Sequence, residues 1–260
     1  MMATILYHGE PNGPSFTVLS ALAEKNVEAE LKPIDLAKGE RHSPAVPKNA
    51  EVAMSIEGEG PVLVVDGEPM ANSVFIACYL DDVGSGPAIR PADPYARWEM
   101  MAWCRFVIER IAPAAAFLGT RAHLTGELGA LSDEAFAALT ANIASTDLRE
   151  RWEMVRKGDF ADAQVADSEG KIIAGVARVE LRLENRDWLI GDFSIADLET
   201  YAWLAGMVSL VPAAFETAER TLLWMERVKA RPAVAAALAK ASGGDPTVVW
   251  APGPEINRWG

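Results

Sequence analysis

The sequence predicts an α/β domain at the N-terminus, residues 1–83, followed by an all-α domain, residues 95–260. Three observations predict this division. First, β-favouring runs surround one helical run near the start of the chain. Second, residues 84–94 are rich in Gly and Pro. Third, apolar residues recur at helical spacing after residue 94. Residues 84–94 are therefore interpreted as a linker.

The chain begins with a β-α-β order. Residues 3–8 are short, apolar and β-favouring, and they end at the turn sequence GEPNGP. Ser15 can cap the following helix, which is expected to end at Asn26. Residues 27–34 alternate in polarity and predict a second strand.

The rest of the α/β domain is predicted to be a loop, a hairpin and a helix. Residues 36–60 are polar and interrupted by Gly and Pro, so they predict a loop that contains at most one short helix. A buried strand at 62–65, a turn at 66–67 and a partner strand at 69–71 form the hairpin, and Ser73 can cap the closing helix. The order β-α-β-(α)-β-β-α is that of a thioredoxin-like domain.

The all-α domain is divided by Pro, Gly and capping residues. Pro113 is expected to kink the first long helix, and Ser132 can cap a later one. Residues 167–170 predict a break between helices, and residues 231–232 (Arg-Pro) are expected to separate the last two helices. Residues 243–260, rich in Gly and Pro, predict an irregular C-terminal tail.

The composition limits the kinds of partner. Lys and Arg total 24 against 37 Asp and Glu, which gives a formal charge of −13. A surface with this negative charge argues against binding of nucleic acid, because recognition of the phosphates needs clustered basic side chains. No run of about 18 uncharged apolar residues is present, so no membrane contact is predicted. The N-terminus lacks the pattern of a secretory signal, and we expect a cytoplasmic protein.

The cysteines and histidines form no metal-binding pattern. Cys78 and Cys104 lie in apolar helical runs and belong to no C-x-x-C pair. His8, His42 and His123 are not spaced as metal ligands. We therefore predict two reduced thiols that pack in the core, and no metal.

Two motifs carry a resemblance to a known family. Ser194 and Asp197 form an S-x-x-D capping box at the start of an apolar helix. The surrounding pattern resembles the L-x-G-x-x-(F/Y)-S-x-A-D signature of glutathione transferases. It comprises Leu189, Gly191, Phe193, Ser194, Ala196 and Asp197. Residues 60–63 (GPVL), followed by 72–73 (NS), resemble the V-P-x-L…(E/D)-S pattern of the same family.

The resemblance implies the cytosolic glutathione transferase fold and a glutathione site. Pro61 would be a cis-proline, and the backbone of Gly60 would pair with the cysteinyl part of glutathione. Asn72 and Ser73 would hold the γ-glutamyl carboxylate, for which a helix N-terminus is well suited. His42 lies where the family often places a side chain near the glycyl carboxylate, but the favoured alternative for it is a solvated loop histidine.

The resemblance also places the sulfur of glutathione near the first helix. Ser15 matches the family's thiol-contacting serine, and Asn12, three residues earlier, could donate its amide N–H instead. A hydroxyl or amide donor beside a helix N-terminus stabilises a thiolate, the reactive form of a thiol. The alternatives are a plain cap for Ser15 and a turn residue for Asn12.

Two further stretches, 90–107 and 131–160, are similar to glutathione-dependent β-etherases. The implied reaction uses glutathione as co-substrate and cleaves β-aryl ethers of lignin-derived aromatics. The thiolate displaces a phenolate from the carbon next to a ketone. The family further implies a homodimer, or a heterodimer with another glutathione transferase subunit.

The site departs from the family pattern in ways that leave alternatives open. The usual Asn-Pro loop is replaced by residues 55–61, with acids at Glu57 and Glu59, and Asn72 replaces the usual acid. One alternative is a non-catalytic subunit with a degenerate glutathione site that partners a catalytic chain. Another is a general glutathione-conjugating transferase or isomerase.

Overall fold

The computed structural model describes residues 4–49, 52 and 60–247. Its N-terminal part contains a four-stranded mixed sheet of order β2-β1-β3-β4. The strands are β1 Thr4–His8, β2 Glu30–Pro33, β3 Val62–Val65 and β4 Glu68–Met70. β1 runs parallel to β2 and antiparallel to β3, and β3 and β4 form the predicted hairpin.

Helices and short turns complete the predicted thioredoxin-like order. The helices are α1 Gly13–Glu24 and α2 Ser73–Val83, and the 3-10 turns are Leu36–Lys38 and Glu40–His42. The sequence left room for one short helix after β2, and the structure has two 3-10 turns there. Residues 50–51 and 53–59 of the predicted loop lie outside the described residues.

The N-cap residue of both helices is an asparagine, so the prediction that Ser15 and Ser73 cap them is wrong. Asn12 is the N-cap residue of α1, and Asn72 is the N-cap residue of α2. The Asn72 Oδ1 accepts a hydrogen bond from the Phe75 backbone N–H at 3.2 Å. The two serines lie inside the first turns.

The remainder of the described chain is helical, which confirms the predicted all-α part. Its helices are α3 Pro94–Phe106, α4 Ala112–His123, α5 Thr125–Gly129, α6 Asp133–Thr140, α7 Thr146–Lys157, α8 Asp162–Arg182, α9 Ile195–Leu204, α10 Met207–Leu210, α11 Glu219–Lys229 and α12 Pro232–Leu238. None of them is both long and apolar enough to cross a bilayer, a finding limited to the described residues.

The expected distortion at Pro113 takes the form of a π-helical turn. The turn spans Val107–Ile111 and joins α3 to α4 without a break. Proline has no backbone N–H, so Pro113 cannot bond to the carbonyl of Glu109 as an α-helix would require. A wider turn accommodates the missing bond.

The break predicted at residues 167–170 is wrong, because α8 runs through it from Asp162 to Arg182. A Cβ atom at Gly170 would meet no neighbour within 4 Å, so the helix face is open at this position. A glycine in a helix interior costs only about 1 kcal/mol relative to alanine. Packing of the opposite face of the helix can stabilise it by more than this cost.

The buried side chains form one large core and smaller ones. The large core extends from the sheet and α1 into α3, α4, α8, α9 and α11. A second core comprises Leu124, Leu128, Phe136, Ile143, Leu148, Trp152 and Val155. This second core extends from Leu124, which follows α4, through α5 to α7, and Ala37 of the first 3-10 turn packs against it.

The capping box is present as predicted and is fully buried. Asp197 is 0% exposed, and its Oδ2 accepts from the Ser194 backbone N–H at 2.9 Å. Its Oδ1 accepts from the Leu189 backbone N–H at 3.0 Å and from the Trp224 indole N–H at 2.9 Å. Burial raises the pKa of Asp197 from 3.8 to about 6, because these hydrogen bonds offset only part of the lost hydration.

An ion pair joins the start and the end of the described chain. Arg231, just before α12, donates from Nε and Nη2 to the two Glu24 carboxylate oxygens at 2.6 and 2.9 Å. Glu24 lies at the end of α1, and its side chain is 7% exposed. The Arg231 guanidinium also lies 3.6 Å from the centre of the Phe193 ring.

Candidate active site

A cleft of about 540 Å³ lies between the sheet domain and the helical domain. Its sheet-domain wall includes Gly9, Asn12 and Ile34, and its helical wall includes His123 and Leu124. Leu124 of this wall belongs to the second core, to which the segment 131–160 contributes most of the side chains, so this segment packs behind one side of the cleft.

The C-terminal end of the described chain closes part of this cleft. Ser242, Gly243 and Pro246 line it. The Ser242 backbone N–H donates to the Glu10 carboxylate at 3.0 Å, and the Ser242 hydroxyl donates to the same carboxylate. Residues 248–260 of the predicted tail lie outside the described residues.

Asn12 lies at the N-terminus of α1 and leaves its side-chain amide without a capping role. Its side chain is 6% exposed, makes no capping hydrogen bond and lines the cleft. Its carbonyl already accepts from the Phe16 N–H at 3.2 Å, and Pro14 has no N–H. The α1 terminus therefore offers the N–H groups of Gly13 and Ser15, and the Asn12 amide adds a third donor beside the positive end of the helix.

Ser15 lies deeper than Asn12. Its side chain is 1% exposed, and its Oγ accepts a hydrogen bond from the Gly9 backbone N–H at 2.9 Å. Ser15 is not among the described residues that line the cleft. The hydroxyl therefore holds the β1–α1 connection in place, and the structure does not place it at the surface of the cleft.

The edge formed by Gly60 and Pro61 differs from the one that the resemblance implied. No cis peptide bond occurs among the described residues, so Pro61 is trans and the cis-proline expectation is wrong. The Gly60 carbonyl accepts a hydrogen bond from the buried Arg41 Nε at 3.0 Å. A protein side chain thus contacts the backbone group that was expected to pair with the tripeptide.

Asn72 and Ser73 form a strained, buried corner. Asn72 adopts φ 74° and ψ 114°, a region that non-glycine residues rarely occupy and that costs about 1–3 kcal/mol. The Ser73 hydroxyl donates to the Glu199 Oε2 at 3.0 Å, and Thr17 donates to the same oxygen at 2.8 Å. The single hydroxyl hydrogen of Ser73 is therefore directed at Glu199 rather than at a ligand carboxylate.

Sequence reasoning missed Glu199. It is 0% exposed, and its Oε1 accepts from the Trp203 indole N–H at 2.8 Å. Burial raises its pKa, while the hydrogen bonds from Trp203, Thr17 and Ser73 act in the opposite direction. The available signal was an acid two residues after Asp197 in an otherwise apolar helix.

The histidines are arranged differently from the expectation. His42 ends the second 3-10 turn, is half-buried and is not among the described residues that line the cleft. His8 and His123 line it instead. His8 Nδ1 lies 2.8 Å from the Gly9 carbonyl oxygen, and burial lowers the His8 pKa.

The cysteines are free thiols inside helices. Cys104 is 1% exposed, and burial raises its pKa well above the usual 9.0. Burial also raises the pKa of Cys78. Both groups are therefore protonated at neutral pH and unsuited to nucleophilic attack.

A thioredoxin-like domain, an α1 N-terminus at an interdomain cleft and a buried capping box define the class of glutathione transferases. The family model described as "Glutathione S-transferase, N-terminal domain" matches residues 2–82. Protein LigF of Sphingobium sp. is 30% identical over 244 residues, which are 90% of this chain and 92% of that protein. The chain belongs to the glutathione S-transferase family.

Solved structures agree with this assignment. The structure of "Beta-etherase LigF" from the same Sphingobium strain has a TM-score of 0.83 and 28% identity, and the match covers 92% of this chain and 100% of that one. A glutathione transferase from Pseudomonas putida with bound glutathione disulfide has a TM-score of 0.64 and 19% identity, with 92% of each chain covered. The second likeness shows the fold alone.

Proposed function

We propose that this chain takes part in glutathione-dependent cleavage of β-aryl ether bonds in lignin-derived aromatics in the cytoplasm. The observation that carries the proposal is the similarity to LigF, described as a β-etherase, along nine-tenths of the chain. An assay of the purified protein with glutathione and both enantiomers of a β-aryl ether ketone tests it. Release of the phenol and formation of a glutathione thioether are the expected products.

The cleft supports this chemistry. In the proposed reaction, the thiolate sulfur bonds to the carbon next to the ketone, and the bond from that carbon to the aryl oxygen breaks. The phenolate leaves with the electron pair, so no redox partner or metal is needed. The chain supplies donors for the thiolate at Asn12 and at the start of α1, and it orients the two reactants in one cleft.

Removal of the Asn12 amide is expected to slow this reaction. Asn12→Ala should lower kcat/KM by about 10- to 100-fold, since a hydrogen bond to a charged group contributes about 1.5–3 kcal/mol. The bound thiol should also titrate at higher pH, which the ultraviolet absorbance of the thiolate reports.

Ser15→Ala should lower the rate and, because the Gly9 N–H loses its acceptor, also the stability. Unchanged rates in both variants would contradict the assignment of these residues.

The second candidate is a non-catalytic subunit with a degenerate glutathione site. It is favoured by the trans Pro61, by the Arg41 contact to the Gly60 carbonyl and by the Ser73 contact to Glu199. Titration calorimetry with glutathione separates the two candidates. The degenerate subunit predicts no measurable binding and no turnover by itself, with activity only when a catalytic glutathione transferase chain is added.

We also propose that the chain forms a dimer through an exposed aromatic patch. Tyr95 and Trp98 on α3 are 66% and 60% exposed, and their ring centres are 5.4 Å apart. Trp98 and Leu181, which is 70% exposed, line one groove of about 510 Å³. Exposed apolar clusters of this kind mark protein contacts.

Replacement of Trp98 by aspartate is expected to give a monomer, because a charge in the contact would lose its hydration. Light scattering coupled to gel filtration measures the mass. Leu223→Asp is the matched control, since Leu223 is 57% exposed on α11 and should leave the mass unchanged. A monomeric parent protein, or a dimer that persists in Trp98→Asp, would overturn the proposed contact.

A further inference from the structure

His8 is the last residue of β1 and lines the cleft, as Asn12 does. The two residues are joined by a short connection, and the Gly9 backbone N–H in that connection bonds to the Ser15 Oγ at 2.9 Å. The end of β1 therefore contacts the first turn of α1. The imidazole borders the part of the cleft in which the α1 terminus would hold a sulfur anion.

One hydrogen bond fixes which nitrogen of the His8 ring carries a hydrogen. Nδ1 lies 2.8 Å from the Gly9 carbonyl oxygen. Because a carbonyl oxygen only accepts hydrogen bonds, Nδ1 is the protonated nitrogen. In the neutral ring, Nε2 then carries a free lone pair and no hydrogen.

The Nε2 atom of His8 is accessible from the cleft. It has no hydrogen-bond partner among the described residues, and it is not one of their unpaired side-chain atoms that are shielded from solvent. His123, the other histidine that lines the cleft, differs, because its unpaired Nε2 is shielded. His8 is therefore the imidazole that can present a basic nitrogen to a bound molecule.

The surroundings of His8 keep Nε2 free of a proton before a ligand binds. Burial lowers the His8 pKa from 6.5, whereas the hydrogen bond to Gly9 acts to raise it. The charge of Lys240 lowers the pKa further, and that of Glu10 raises it. The ring is therefore neutral at neutral pH and available as a base. The remaining charged side chains that line the cleft, none of which contributes to this shift, are Asp35, Lys38, Glu40 and Glu127.

We infer that His8 is a catalytic base that takes the proton from the thiol of bound glutathione; this inference rests on the glutathione-dependent reaction proposed above. The S–H bond breaks, the sulfur keeps the electron pair, and Nε2 gains the proton. The imidazolium and the positive end of α1 then both favour the thiolate, since a protonated histidine or a helix N-terminus lowers the pKa of a neighbouring thiol. After the ether bond breaks, the imidazolium returns the proton to the phenolate oxygen, which restores the neutral base.

His8→Asn tests this role, because asparagine can donate to the Gly9 carbonyl but has no basic nitrogen. At about pH 7, the ultraviolet absorbance of the thiolate of bound glutathione should fall, and phenol release should slow by about 100-fold. At about pH 9.5, the thiol ionises without a base, so the rate should approach that of the parent. A purely structural role of His8 would lower the rate by the same factor at both pH values. His8→Gln, which also lacks a basic nitrogen, should behave in the same way.

The analogue of glutathione with selenium in place of sulfur is the matched comparison, because a selenol is ionised at neutral pH without a base. Both variants should use it at a rate within about 3-fold of the parent. The inference is overturned when the variants form as much thiolate as the parent at neutral pH, or when they lose the reactions of the thiol and the selenol equally. A parent protein that needs His8 to ionise bound glutathione but releases no phenol supports the inference and overturns the proposed ether cleavage. A parent protein that binds no glutathione overturns both.

Discussion

Replacement of Asp197 by alanine is expected to lower the free energy of unfolding by about 3–5 kcal/mol. The change removes the acceptor of four buried donors, namely the Ser194 and Leu189 backbone N–H groups, the Ser194 hydroxyl and the Trp224 indole N–H. Each unpaired donor costs about 1–3 kcal/mol. Removal of the buried charge offsets part of this sum, which sets the expected range.

The loss should also depend on pH. The folded-state pKa of Asp197, about 6, lies above its unfolded value of 3.8. Its protonated form is therefore favoured by folding, and the stability it contributes is full below pH 3.8 and is lost as pH rises through 6. Between pH 7.5 and pH 5, the difference between the parent and Asp197→Ala should widen by about 1.4 kcal/mol, the value of one pKa unit.

Denaturant unfolding at both pH values measures these differences. Asp192→Ala is the matched control, because Asp192 is an exposed acid in the same loop, and its effect should stay within about 0.5 kcal/mol. A loss below about 1 kcal/mol for Asp197→Ala would show that another group satisfies these donors.

Arg231→Met should destabilise the protein by about 2–4 kcal/mol. Methionine retains the contact with Phe193 but leaves the Glu24 carboxylate, 7% exposed, without its paired cation. Breaking a buried pair costs about 3–5 kcal/mol, and the lower range applies here because the Arg231 side chain is 27% exposed.

A double-mutant cycle isolates this ion pair. Glu24→Gln together with Arg231→Met should recover a large part of the loss, since the uncompensated charge is gone. Lys157→Met, which breaks an exposed pair with Glu153, should cost no more than about 0.5 kcal/mol. If the double variant is as unstable as the sum of the single ones, the two side chains do not stabilise each other.

Local contacts were predictable from the sequence, and distant ones were not. Ser194 and Asp197 are three residues apart, so helix geometry alone brings them together. The Ser73–Glu199 and Glu24–Arg231 contacts join residues 126 and 207 positions apart, and no pattern in the sequence pairs them. The candidate site depends on such distant contacts.

The starts of α1 and α2 show how backbone conformation can change a local prediction. Gly13 adopts φ 47°, which lets α1 begin two residues before Ser15. Asn72 adopts φ 74° and takes the capping role that Ser73 was expected to fill. Several residues near each start could cap a helix, and only the tertiary structure selects one.

The second core is largely separate from the large core, so the helical wall of the cleft can open without unfolding of the whole protein. Phe160 packs against both cores, but the seven side chains of the second core otherwise form their own cluster. Such a cluster can open at a lower free energy than global unfolding. We therefore expect α5 to α7 to open transiently while the sheet and α1 keep their arrangement. Amide hydrogen exchange in α5 to α7 would then be faster than in α1 and α9.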